Sequence, residues 1–111
     1  MAQSEKNEKL MLVVCDYSEW SYNKGEYYWA VSEFNSSFNK TFYKVIHNSK
    51  HEFLNCPSKE SMLEVFNIIS EKEISFEEKQ KWAYGSMRTE HPEYFPASEE
   101  KAKELSLIKN H

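Results

Sequence analysis

Glu26-Tyr27-Tyr28-Trp29-Ala30-Val31-Ser32-Glu33-Phe34, followed after a short polar break by Lys40-Thr41-Phe42-Tyr43-Lys44-Val45-Ile46, is the stretch that decides the fold class. Both runs carry large apolar side chains with a period of two. Tyr27, Trp29 and Val31 fall on one side and Tyr28, Ala30 and Phe34 on the other, while Phe42 and Ile46 oppose Tyr43 and Val45. Side chains alternate across a strand in this way, and β-branched and aromatic residues suit a pleated, two-sided surface. The break Asn35-Ser36-Ser37 is turn material, so the two runs are expected to pair antiparallel.

Working outward, Leu10-Met11-Leu12-Val13-Val14-Cys15-Asp16-Tyr17 is short, apolar and β-branched in its middle, and reads as a buried strand. It is too short for a membrane span or a secretory signal, and a cytosolic location is expected. Beyond the polar His47-Asn48-Ser49-Lys50, the segment His51-Glu52-Phe53-Leu54 offers a fourth short strand. From Pro57 the period becomes helical. Pro57 or Ser58 opens a helix with Met62, Val65, Phe66 and Ile69 on one stripe and Glu60, Glu64 and Glu71 toward water. Ser75-Phe76-Glu77-Glu78 is a capping box for a second helix, whose Phe76, Gln80, Ala83, Tyr84 and Met87 share a face. Pro92 and Pro96 interrupt regular structure, and Ser98 with Glu99 and Glu100 starts a third helix. Strands first and helices afterwards predict an α+β fold. The expected form is an antiparallel meander of three or four strands, then two or three helices packed on one face. A single domain over residues 1–111 is expected, with residues 1–9 as a flexible N-terminal tail.

Composition narrows the chemistry. The chain has 111 residues, enough to bury roughly two-thirds of its unfolded surface in one core. Seven Phe, seven Tyr and three Trp supply that core, and two Gly leave no glycine-rich loop to cradle a phosphate. The net charge is −4; residues 1–50 hold six acids and six bases, so all the excess lies in residues 51–111, with twelve acids against eight bases. Arg88 is the one arginine, which argues against direct nucleic-acid binding, since arginine is the side chain best shaped to clamp phosphates.

Reactive side chains form no organised set. Cys15 and Cys56 make no CxxC pair and read as reduced core residues. His47, His51 and Cys56 could be drawn as a zinc site, but His47 and His51 are separated by loop residues, and four-residue spacing brings two histidines together only on a helix. Pairs such as Cys15 with His47 or His51 with Glu52, and His91 before Pro92, lack a third group to orient them. No catalytic residue, metal or cofactor is expected, and the protein reads as a non-enzyme.

The segment from Asp16 to Trp29 instead interleaves acids with rings around a turn. Tyr and Trp tolerate both burial and exposure and are favoured at protein interfaces, and acids beside them suit a basic partner. Asp16, Tyr17, Glu19, Trp20, Tyr22, Glu26 and Tyr28 are therefore the expected partner-binding residues, with Trp20 and Tyr22 as anchors. In size, acidity and aromatic richness the chain resembles the small immunity proteins that neutralise bacterial toxins, including those of contact-dependent growth inhibition. The resemblance implies a cytoplasmic inhibitor that occludes the active site of a cognate toxin domain, a nuclease among the possibilities. Two other readings stay open: a phage-encoded inhibitor of a host protein, in keeping with the A/T-rich codon bias of the composition, and a small nuclease or hydrolase using His47, His51 or His91.

Isolated cysteines and loop histidines lead to a first prediction. The thermal midpoint should be the same with and without reductant, and with and without a chelator; a large drop with chelator would restore the His47, His51 and Cys56 site.

Overall fold

Leu10, Met11, Leu12 and Val13 are all at most 1% exposed, which a strand achieves only at the centre of a sheet covered on both faces. The computed structural model describes residues 8–108 and places that run in strand β1 (Glu8–Cys15). Strands β2 (Tyr27–Asn35), β3 (Lys40–Ile46) and β4 (Phe53–Cys56) follow as an antiparallel meander, with Trp29 opposite Ile46 and Val45 opposite Leu54. The fold is α+β, as expected. Glu8 and Lys9 belong to β1 rather than to a tail, because Glu8 pairs with Ile74 and Lys9 with Glu73; the rest of the expected tail, residues 1–7, lies outside the described residues.

The sheet is larger than a meander. Helix α1 (Lys59–Leu63), capped by the Ser58 hydroxyl accepting from the Ser61 N–H, ends after five residues, and the chain then forms strand β5 (Phe66–Ile74). β5 lies against β1, giving the order β4-β3-β2-β1-β5. The expected long helix carrying Val65, Phe66 and Ile69 is therefore incorrect. The reason is tertiary: β1 needs a second neighbour, and pairing Cys15 with Phe66 and Val13 with Ile68 supplies it. A bulge at Ile69, between the pairs Leu12 with Ser70 and Val13 with Ile68, reverses the parity of the strand. Phe66 and Ile68 join one face and Ile74 the other, so the alternation of β5 is broken midway and imitates a helical stripe.

Both faces of the sheet are covered. On one, Leu10, Leu12, Trp29, Val31 and Ile46 pack against helices α2 (Phe76–Ala83), α3 (Ser86–Glu90) and α4 (Glu99–Glu104) and the 3-10 turn Pro92–Tyr94. Trp82 sits 5.4 Å from Trp29 ring to ring, and the Trp29 indole donates to the Tyr94 carbonyl at 2.8 Å. On the other, Met11, Val13, Tyr28, Ala30, Val45 and Phe66 are closed over by Met62 of α1 and by Tyr22 from the connection between β1 and β2. Helices thus occupy both faces, not one. Ser75 caps α2, its hydroxyl accepting from the Glu78 N–H at 3.0 Å. The buried face of α2, however, is Lys79, Trp82 and Ala83; Phe76 and Tyr84 are exposed. Gly85, at φ +96°, lets the chain turn from α2 into α3.

Lys79 is buried with its ammonium among acceptors. It lies 2.7 Å from Glu33 Oε2, 2.7 Å from Gln80 Oε1 and 3.8 Å from Glu8 Oε1, with the Phe76 ring 4.4 Å away. Lys44 approaches Glu33 Oε1 at 3.3 Å, and the Tyr84 hydroxyl donates to Glu33 at 3.0 Å. Burial by itself would raise the Glu33 carboxyl, but the hydrogen bonds from Lys79 and Tyr84 outweigh it and hold the group below the usual range. Burial raises Glu8, only partly offset by Lys79. Glu33 stabilises the fold above its unfolded pKa, a contribution lost as pH falls through its folded value; Glu8 acts in the opposite sense. Glu33→Gln should therefore be less stable than the parent at neutral pH, and its stability should fall less steeply between about pH 5 and pH 3 in denaturant titrations.

Candidate protein-binding site

The connection between β1 and β2 is held by its own backbone. Its base is closed by the Cys15 N–H to the Glu26 carbonyl at 2.9 Å and the Gly25 N–H to the Cys15 carbonyl at 2.8 Å. The Asp16 and Tyr17 N–H groups both donate to the Val65 carbonyl, and the Lys24 N–H donates to the Ser18 hydroxyl at 3.1 Å. At the tip, Glu19 and Tyr22 exchange two backbone hydrogen bonds of 3.0 and 2.8 Å, leaving Trp20 and Ser21 as a two-residue turn.

These constraints sort the expected partner-binding residues into two groups. Tyr22 folds under the tip and is 3% exposed; its hydroxyl donates to the Val45 carbonyl at 2.8 Å, and its ring meets Tyr28 and Phe66 at 4.9 and 5.7 Å. Tyr28 is equally buried, and burial pushes its hydroxyl up to about 12. Both are core residues, which corrects their assignment as contact residues: a ring beside a sheet face with room under the loop gains more from burial than from solvent. Asp16, Tyr17, Glu19, Trp20 and Glu26 are exposed. Trp20 is 84% and Tyr17 67% exposed, and none of the ion pairs among the described residues uses Asp16, Glu19 or Glu26. Trp20 has φ +57°, a conformation that a β-carbon disfavours and glycine or asparagine would adopt at less cost.

Residues outside the expected set complete the surroundings. A cleft of about 430 Å³ lies beside the connection, with Ser21 and Glu26 on one side and His47, Asn48 and Ala97 on the other. His47 is buried: its Nδ1 accepts from the Ser49 and Lys50 N–H groups at 3.1 and 3.0 Å, which puts the ring proton on Nε2, donating to the Ser21 carbonyl at 3.2 Å. The Asn48 amide donates to the Tyr27 carbonyl and accepts from the Ala97 N–H. The register of the β2–β3 hairpin, counted from Asn35 opposite Lys40, would have set Tyr28 level with His47 and Tyr27 with Asn48, and is the signal that could have found this wall.

Elsewhere the reactive groups are dispersed. Burial raises the thiols of Cys15 and Cys56, and Cys15 Sγ donates to the Tyr17 carbonyl. His91 pairs with Glu93 at 3.2 Å on the surface. His51 lies at a cavity of about 200 Å³ beside Phe53, Trp82, Tyr84 and Arg88; Arg88 is committed to the carbonyls of His47, Asn48 and Lys50. Among the described residues no three His, Cys, Asp or Glu side chains are grouped to hold a metal, and no helix is long and apolar enough to cross a membrane.

The two groups of rings should separate by stability. Tyr22→Ala is expected to cost about 3–5 kcal/mol in chemical denaturation, as for other large core rings. Trp20→Gly should cost nothing and gain up to about 1 kcal/mol from relief of the positive φ.

Comparison of the chain with protein-family models, curated proteins and solved structures finds no match.

Proposed function

We propose that this protein is a non-catalytic inhibitor, an immunity protein that binds a cognate bacterial toxin domain in the cytosol and occludes its active site. The observation that carries the reading is Trp20: a large ring, 84% exposed, held at a positive φ on the tip of a hydrogen-bonded turn. Such a conformation is retained at a cost, and a ring burying about 150–250 Å² in a complex would yield on the order of 4–6 kcal/mol of gross stabilisation there. The fixed turn reduces the ordering entropy of binding. Asp16, Glu19 and Glu26 are exposed in the same connection as Tyr17 and Trp20 and enter no ion pair among the described residues, which favours a basic surface and speeds encounter with it. The general likeness in size, charge and aromatic content to toxin-immunity proteins points the reading toward a toxin.

An immunity gene is expected to sit directly beside its toxin gene, so the test is co-expression with a toxin domain encoded next to the gene for this chain. The parent should restore growth and bind that domain; Trp20→Ala should weaken binding by about 2 kcal/mol or more, and Glu19→Lys should chiefly slow association and lower its salt dependence. Unchanged binding by both variants would remove the loop as the interface.

A further inference from the structure

The cleft between the connection and the turn after β3 has walls tied to each other by hydrogen bonds. Asn48 joins them by bonding both the Tyr27 carbonyl at 2.8 Å and the Ala97 N–H at 3.1 Å, and His47 is tied to Ser21. Among the described residues, the one charged side chain lining the cleft is Glu26. Its Oε1 accepts from the Tyr28 hydroxyl at 2.8 Å and from the Asn23 amide at 3.4 Å, while Oε2 takes part in no hydrogen bond or ion pair among the described residues. The Tyr28 hydroxyl is itself fixed, since it also accepts from the Asn23 N–H at 2.9 Å and belongs to a residue 1% exposed. A carboxylate oriented from beneath by a buried hydroxyl, with an oxygen to spare and neutral polar neighbours, is arranged for a cation.

We propose that this cleft receives a single cationic side chain of the protein partner, an ammonium or guanidinium whose counter-charge is Glu26. The inference rests on the reading of the protein as a binder of a basic partner, and adds the pocket in which one basic side chain is recognised. Trp20 then anchors the partner at the loop tip while Glu26 sets its register from the cleft. About 430 Å³ accommodates a long aliphatic stem together with its charged head.

The full chain can be titrated with N-acetyl-arginine amide, N-acetyl-lysine amide and the neutral N-acetyl-norleucine amide, followed by backbone amide NMR. One or both cationic probes should shift the amides of Ser21, Glu26, Asn48 and Ser49 saturably, and norleucine amide should not. Glu26→Gln keeps an acceptor for Tyr28 and should weaken the probe about tenfold or more. Ser49→Lys, which places an ammonium of the chain's own at the cleft, should abolish the shifts and serves if the Glu26 variant does not fold. Absence of cleft shifts at about 50 mM probe, equal shifts with norleucine amide, or unchanged binding by a folded Glu26→Gln or Ser49→Lys variant would overturn the proposal. No partner is needed, so these outcomes are independent of whether Trp20→Ala loses toxin binding.

Discussion

Strand β1 hydrogen-bonds to β2 on one side and to β5 on the other, and everything else is arranged around that double pairing. Leu10 and Leu12 serve the core beneath α2 and α4, while Met11, Val13 and Cys15 serve the core beneath α1 and Tyr22. A strand buried on both faces cannot be an edge, because its unpaired amides would be desolvated without partners. β5 is therefore required, although it is remote in sequence. Its recruitment shortens α1 and leaves the acidic Glu71 and Glu73 on an edge strand, where charge discourages pairing with other chains.

The same constraint shapes the proposed interface. Because β1 and β2 are neighbours, their connection must reverse direction within the span from Asp16 to Glu26, and Val65, just before β5, supplies the carbonyl that holds its first residues. The loop then lies back over the sheet and spends Tyr22 on the core. What remains outside is the opposite side of the turn, Trp20 with Glu19 and Asp16, so stability and exposure are divided between adjacent residues. Tyr28 links the two functions: its ring packs in the core at 6.0 Å from Phe66 and its hydroxyl orients Glu26.

On the other face, Lys79 takes a position that an apolar residue would normally hold. Its charge is matched by Glu33 and Glu8 from two adjacent strands, so α2 can dock only in the register that brings them together. Charged groups of this kind add little net stability compared with apolar packing, because desolvation offsets attraction, but separating them is costly. Amphipathic periodicity cannot reveal such a helix face, since lysine at a helical position ordinarily marks the solvent side.

By itself the sequence determined the α+β class, the first three strands and their order, the Ser75 and Ser98 helix starts and the acid-and-aromatic character of the first connection. All of these depend on neighbours within a few residues: the two-residue period, a side-chain cap, a turn. Tertiary structure decided the rest. β5 became a strand because β1, more than fifty residues earlier, needed a partner, and the bulge at Ile69 concealed its alternation. Tyr22 and Tyr28 became core while Tyr17 and Trp20 stayed outside, because the direction of each ring is set by how the loop lies on the sheet. His47 and Asn48 joined the cleft through hairpin register and contacts reaching Ala97. Burial of a ring and the partner of a strand are properties of the assembled surface, and no local pattern carries them.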